Sequence, residues 1–379
     1  MRNTYNKEDY TVDTKKLYKN RKDKGVSGMM RVRNDAEFLQ LSVESCIDAL
    51  DELIIVYNNC NDDSPAIIDM LYHKYPDKIK VYHYLPEILA WDLTEEIAND
   101  IIDGKIDSQN TLAGYYNYAL SKTSYKYVLK IDADQIYNLE QLKYVCDLYR
   151  HSYRKYNSAD IIFLIIIKAL MSISVRSGKY IDVLYKKRIV EHYHSSLANL
   201  ISAKKKPISL SGINVVSYQS NLFVSLGKYI PDGINIMAPF NGEGDHLVFE
   251  VKKGVMFKPA VDYEYNRLNG NKLNVIETLS GTGSAWIWGI PMWIHLNACR
   301  KNIFNKILKN LTSYPNYYCK LKDFFKGDYK TIVQISDNEI FNAKRKQLFH
   351  FVFSSTTNSN LDYYLKVNKR ITDIINYDK

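Results

Sequence analysis

Long apolar runs are missing from this sequence. The longest, Ile161 to Ile167, stops at Lys168, far short of the roughly 20 residues that a bilayer-spanning helix needs. The first 24 residues are polar and charged, with no apolar stretch among them. That speaks against a secretion signal or start-transfer helix and sets the expectation of a cytoplasmic protein. Cysteine is sparse: Cys46, Cys60, Cys146, Cys299 and Cys319 are odd in number and form no CxxC pair, so neither a disulfide framework nor a zinc knuckle is signalled. Internal repeats and low-complexity segments are also lacking. What remains is 46% hydrophobic and 25% charged over 379 residues, the balance of a soluble globular chain with either two folding units or one large α/β unit with an appendage.

The net charge of +9 is concentrated at one end. Arg300 to Lys379 holds 15 Lys and Arg against 7 Asp and Glu, interleaved with Phe324, Phe325, Phe349 and Phe351. This basic, mainly helical C-terminal region is a candidate for docking on an anionic membrane surface, which would make the protein peripheral on the inner face of the membrane. A solvated basic face is the plainer reading. No nucleic-acid reading module accompanies the charge, so nucleic acid is not an expected partner.

Short runs rich in β-branched and aromatic residues occur at Val26 to Met30, Leu53 to Tyr57, Ile79 to Tyr84, Tyr127 to Ile131 and Ile161 to Ile167. They predict strands buried on both faces. Helical patterns lie between them at Ala36 to Leu50, Pro65 to Tyr75, Thr111 to Ser121 and Leu139 to Tyr153. Such alternation predicts an α/β fold with a mostly parallel sheet flanked by helices. Residues 1–24 form a polar extension, 25–170 a first half, 171–298 a second half and 299–379 the basic extension. Ligands bind such sheets at the carboxyl ends of the strands. Arg31, Arg33, Asn34 and Asp35, then Asn58 to Asp63, then Asp132 and Asp134 all fall there.

The strongest chemical signal is Lys130-Ile131-Asp132-Ala133-Asp134. Residues i and i+2 of a strand share a side, so two carboxylates can face one hard cation. A cation there neutralises a diphosphate and makes a nucleoside diphosphate a better leaving group. The stretch from Val26 to Asp134 resembles the donor-binding half of family-2-like glycosyltransferases with the GT-A fold, a Rossmann-like class. The match runs through Met30-Arg31-Val32-Arg33-Asn34-Asp35, then Val56 to Ser64, the helix Thr111 to Ser121, and the Asp132-Ala133-Asp134 strand end. It covers roughly the first 170 residues.

This resemblance implies that Arg31, Arg33 and Asn34 lie along the nucleotide. Asn58 takes the place where many relatives carry a uracil-reading Asp, and its amide can also pair with an imide edge. Asp62 matches the later acidic position of that loop. Asp134 is implied as the main metal ligand, with Asp132 facing the ribose or the hydration shell of a Mn2+ or Mg2+ ion. Asp35 also reads as a helix N-cap.

Gly242-Glu243-Gly244-Asp245-His246 precedes a helical pattern at Leu247 to Lys252. Inverting relatives carry a catalytic carboxylate about this far after the DxD. Asp245 is therefore the first candidate for the general base and Glu243 the second. Trp286-Ile287-Trp288-Gly289-Ile290-Pro291-Met292-Trp293-Ile294-His295 is the third signal. His295 is a candidate third metal ligand, as in several GT-A relatives. Trp286, Trp288 and Trp293 could stack on an acceptor sugar, although core packing would equally explain at least one of them.

Arg300 follows closely enough to meet the departing diphosphate. His192 and His194 have no evident acidic partner and read as surface or core. The expected activity is transfer of a sugar from a UDP-sugar, such as a galactose or N-acetylhexosamine donor, to a saccharide or lipid-linked saccharide in surface polysaccharide assembly. Two other readings stand beside it. One is a dehalogenase-type phosphatase using DxD, against which 131 residues precede the motif. The other is an inactive transferase-like assembly subunit.

Overall fold

The computed structural model describes residues 5–152, 154–177, 186–219, 221–225, 240–241, 247–262 and 272–301, and from there on residues 309, 311–313, 315, 318–321 and 323. In chain order the elements begin with β1 (Lys22–Val32), α1 (Leu39–Cys46), β2 (Glu52–Tyr57), α2 (Ser64–Lys74), β3 (Ile79–His83), α3 (Glu95–Ile102), α4 (Leu112–Lys122) and β4 (Tyr125–Asp132). Next come β5 (Gln135–Tyr137), α5 (Leu139–Arg150), α6 (Ser158–Ser177), α7 (Lys186–Lys204), β6 (Ile208–Asn214), β7 (Val216–Tyr218), β8 (Asn221–Ser225) and β9 (Phe240–Asn241). The remaining strands are β10 (Leu247–Glu250), β11 (Met256–Val261), β12 (Val275–Ser280), β13 (Trp286–His295) and β14 (Tyr318–Lys320).

The chain divides into two compact units, each discontinuous in sequence: Met1–Ala133 with Leu247–Ala285, and Asp134–His246 with Trp286–Lys379. The sequence pattern suggested consecutive segments instead. Their boundary near residue 170 rested on fading strand–helix alternation, a local signal that carries no information about a chain returning to an earlier unit.

In the first unit β3, β2, β1 and β4 run parallel in that order, and β10 joins β4 antiparallel. The sheet is therefore mixed, and with helices packed on it this is the α/β class that the sequence predicts. Its strands are long apolar runs because both faces are covered. Met29, Ile54, Val56, Val128 and Phe249 pack with Leu112, Tyr115, Tyr116 and Ala119 of α4 in one core. Helix α4 starts at Thr111, whose hydroxyl accepts from the Gly114 amide at 3.0 Å, satisfying one of the free amides at the helix start. The antiparallel pair β11 and β12 lies against this same helix. Four residues, Leu247–Glu250, form strand β10 where a helix was expected. A segment so short shows no period of its own, and pairing of Val248 with Leu129 decides its state.

In the second unit β6 pairs parallel with β13, while β5 and β9 flank them antiparallel. A small sheet of β7, β8 and β14 completes its described strands. Gly212 is required in β6: a Cβ there would lie 2.1 Å from the Trp293 ring of β13. Residues Ile161 to Ile167, expected as a strand, sit inside the 20-residue helix α6. The signal missed was its start. Asn157 Oδ1 accepts from the Asp160 amide at 2.9 Å and Asp160 Oδ2 accepts from the Asn157 amide at 3.0 Å. That reciprocal pair is a capping box. The helix then buries Asp160, Leu164 and Ile167 at helical spacing. The basic helical extension lies outside the described residues from 324 onward.

Candidate functional site

The strand ends of the first unit gather the residues that sequence placed along a nucleotide. Arg31 is in register with Val56 on one side and Asp132 on the other. The Asn58 amide donates to Val32 O at 3.0 Å, continuing the β2 edge. Asn58 itself is buried, and its Nδ2 donates to the carbonyls of Tyr84 (2.7 Å) and Pro86 (2.9 Å). Its Oδ1 is buried without a hydrogen-bond partner. An unmet buried acceptor is costly in a folded protein and suits a ligand N–H.

The loops beyond these strands are held by their own polar side chains. Asn34 adopts φ 59° and Asn59 φ 42°, the left-handed region that asparagine tolerates. Asn34 Oδ1 accepts from the Asn61 amide at 2.8 Å. Both oxygens of Asp62 accept backbone amides, those of Ala36 and Ser64, each at 3.0 Å. Burial opposes ionisation of Asp62, but these bonds together with the Ser64 hydroxyl hold its carboxyl below the usual range. Asn34 and Asp62 thus tie the loop after β1 to the loop after β2. Asp35 does not cap α1, which starts at Leu39; its Oδ2 instead accepts from the Arg33 amide at 2.9 Å. The Arg33 side chain is exposed beside this turn.

Behind Asp132, on the same side of β4, lies a charged cluster that sequence did not reveal. Lys130 Nζ meets Glu277 Oε1 of β12 at 2.8 Å, with side-chain exposures of 7% and 8%. The Tyr116 ring receives two cations, Arg31 at 3.8 Å and Lys130 at 4.7 Å from its centroid. Arg31 also donates to the Tyr116 hydroxyl through a terminal nitrogen, while its buried Nε has no hydrogen-bond partner. Burial alone would lower the Arg31 pKa. Tyr116, Glu277, Tyr115 and Asp132 overcome this and raise it.

Asp134, two residues after Asp132, opens the second unit. Register explains its neighbours. Strand β5 pairs Gln135 with His295, and the Leu296 amide donates to Asp134 O at 2.9 Å. His295 Nε2 consequently stands 3.4 Å from Asp134 Oδ1, and Arg300 Nη2 lies 2.9 Å from Asp134 Oδ2. Parallel pairing of β13 with β6 sets Asn214 opposite His295, and Asn214 Oδ1 faces His295 Nδ1 at 2.9 Å. With Nδ1 facing Asn214 Oδ1, Nε2 is the ring nitrogen turned toward Asp134. This is the arrangement that orients a metal-binding imidazole. Burial opposes ionisation of Asp134, yet His295 and Arg300 hold its carboxyl far below the usual range.

The fit to a divalent cation can be judged from these atoms. No three His, Cys, Asp or Glu side chains converge as a complete cage among the described residues. Asp134 and His295 do offer two donors 3.4 Å apart, close to the roughly 3 Å between neighbouring ligands of a cation bonded at about 2.1 Å. They fit a cation whose remaining ligands come from a diphosphate and water.

The tryptophans separate into two kinds. Trp293 and Trp288 are buried, at 0% and 2% exposure. Trp293 packs on Gly212, and Trp288 lies near Tyr144 and His194. Neither ring presents a face to an acceptor, so core packing accounts for both. Trp286 is half-buried with Lys168 Nζ 5.5 Å from its ring centroid. His194 is a packing residue whose Nδ1 faces Val190 O, and burial pushes its pKa down to about 4. Glu243 and Asp245 lie outside the described residues.

Comparison with known proteins matches residues 6–178 to the family model described as Beta-1,4-N-acetylgalactosaminyltransferase (CgtA). No curated protein matches the chain in sequence. Among solved structures, S. aureus TarS 1-349 in complex with UDP-GlcNAc shares 18% identity over 32% of this chain and 30% of that one, at TM-score 0.22. The same protein in complex with UDP aligns over 93% and 88% of the two chains at 14% identity and TM-score 0.26. Glucosyl-3-phosphoglycerate synthase from Mycobacterium tuberculosis, with Mn2+, UDP and glucosyl-3-phosphoglycerate, shares 14% identity over 36% of this chain and 40% of that one, at TM-score 0.20. The chain therefore spans less than half of two of these three structures.

Proposed function

We propose that this chain, whose residues 6–178 match a glycosyltransferase family model, transfers a sugar from a nucleoside-diphosphate donor to a saccharide acceptor with the aid of a divalent cation. The observation that carries the reading is the set Asp134, His295, Arg300 and Asn214. Asp134 stands two residues after Asp132 in sequence, and the set offers a cation two donors and a diphosphate one guanidinium.

Asp134 and His295 would hold a Mn2+ or Mg2+ ion, which when bound neutralises the diphosphate as it leaves. Arg300 meets the same departing charge and needs only to turn from Asp134. Asp132 faces the ribose or the ion's water. In the first unit the unmet Oδ1 of Asn58 accepts the imide N–H of uracil, which favours a UDP-sugar, and the unmet Nε of Arg31 supplies a donor on the nucleotide side. Inversion at the anomeric carbon needs a base for the acceptor hydroxyl; Asp245 is assigned this role first and Glu243 second. Trp286 is the remaining aromatic candidate for the acceptor sugar. The acceptor itself, saccharide or lipid-linked saccharide, belongs with surface polysaccharide assembly.

Two measurements test the reading. Purified protein given UDP-N-acetylhexosamine or UDP-galactose with candidate acceptors should release UDP in the presence of Mn2+ and lose that activity to a chelator. Release that is insensitive to chelation would overturn the metal role, and an absence of transfer from any nucleotide sugar would return the chain to the inactive-subunit reading. Arg33→Ala, at an exposed position, should raise the donor KM about tenfold, worth roughly 1.4 kcal/mol, with kcat and the thermal midpoint nearly unchanged. An unaltered KM would remove Arg33 from the donor site.

A further inference from the structure

Helix α6 buries one narrow stripe and leaves a wider apolar one in solvent. Ile162, Ile165, Ile166, Leu170 and Ile173 are 57, 55, 49, 36 and 59% exposed. They stand at i, i+3, i+4, i+8 and i+11, so they form one continuous face over about three turns. These five are half of the ten large apolar side chains exposed among the described residues. An incidental scatter of surface hydrophobics would not concentrate on a single helix face.

The face has a size and a charge environment that narrow its occupant. Five side chains so exposed present on the order of 450 Å2 of apolar surface, the scale at which a contiguous patch marks an interaction site. That is well short of the ~800 Å2 per partner buried by a standard protein interface. Among the described side chains, Lys168 of α6 and Arg188 in the first turn of α7 are exposed, while Asp160, the one acid in those two stretches, is buried. No helix among the described residues is long and apolar enough to cross a membrane. A helix that is apolar on one face, basic at its flanks and unable to span is suited to lie in the plane of an anionic lipid surface.

We infer that the Ile162–Ile173 face of α6 docks the protein on an anionic membrane, with the apolar side chains entering the headgroup boundary and the neighbouring cations meeting lipid phosphates. This inference uses none of the residues assigned to sugar transfer and stands or falls apart from that activity. It also differs from docking through the C-terminal region.

The full chain should sediment with phosphatidylcholine vesicles that contain phosphatidylglycerol, and bind phosphatidylcholine alone far more weakly. Ile165→Glu combined with Ile166→Glu should weaken binding to the anionic vesicles at least tenfold, and added salt should weaken that of the unaltered chain. Both positions are solvent-exposed, so an unchanged far-ultraviolet circular dichroism spectrum and thermal midpoint are expected. Equal vesicle binding by the variant and the unaltered chain would overturn the inference, as would no binding by either. So would a dimer in sedimentation velocity that the variant converts to monomer, since a second copy would then be what covers the face.

Discussion

Asp134→Ala is expected to lower sugar transfer by at least ~1,000-fold, about 4 kcal/mol of transition-state stabilisation. The carboxylate is buried, strongly biased toward its ionised form, and placed beside the two groups best suited to a metal diphosphate. Removing it leaves Arg300 and His295 facing each other without an intervening anion, so the alanine variant should also lose about 1–3 kcal/mol of stability. Asp134→Asn separates the two effects. It retains an acceptor for Arg300 and the side-chain volume while removing the charge that a cation needs. The asparagine variant should unfold close to the unaltered protein yet be nearly as inactive as the alanine variant. Turnover above a tenth of normal in folded Asp134→Asn would remove this residue from the reaction.

The second large effect concerns stability in the first unit. Glu277→Gln removes the carboxylate that meets the buried Lys130 ammonium, and breaking such buried pairs costs about 3–5 kcal/mol. The same substitution takes one of the acidic neighbours from Arg31, so donor binding should weaken in parallel. Lys130→Met combined with Glu277→Leu should recover most of the lost stability, because both charges are then gone from a site bordered by the Tyr116 ring. Denaturant midpoints of the single and double variants measure this directly. A single variant as stable as the unaltered chain would mean that the pair is solvated in solution.

How much of this was legible beforehand follows from the range of the interactions involved. Strands β1 to β4 were plain because parallel strands covered on both faces are unbroken apolar runs. The placement of Arg31, Asn58 and Asp132 at their ends followed from that. Helix α6 differs from the strand that its sequence suggests because seven consecutive apolar residues have no period, and only its capping pair, Asn157 and Asp160, marks the helix start. Strand β10 acquires its state from β4, more than a hundred residues earlier.

The same holds at the site. Glu277 lies 147 residues from Lys130, and Asn214 lies 81 residues from His295. No local pattern announces either partner; strand register supplies both. Asn34 and Asp62 were visible as polar loop residues, yet their bonds to loop amides come from a left-handed turn and a loop-to-loop tie that composition does not encode. Of the three tryptophans, for at least one of which core packing is an equal explanation, Trp288 and Trp293 are the buried ones.

The proposed transfer depends on Asp134 and His295 holding a divalent ion against a donor's diphosphate. Pulsed electron paramagnetic resonance of Mn2+ bound to the protein with UDP tests it most directly, because an imidazole nitrogen on the ion modulates the spin echo. Mn2+ binding is expected to be strengthened by UDP, with a nitrogen modulation that disappears in His295→Ala and binding that is lost in Asp134→Asn. A modulation that persists in His295→Ala, or Mn2+ affinity indifferent to both substitutions, would contradict it.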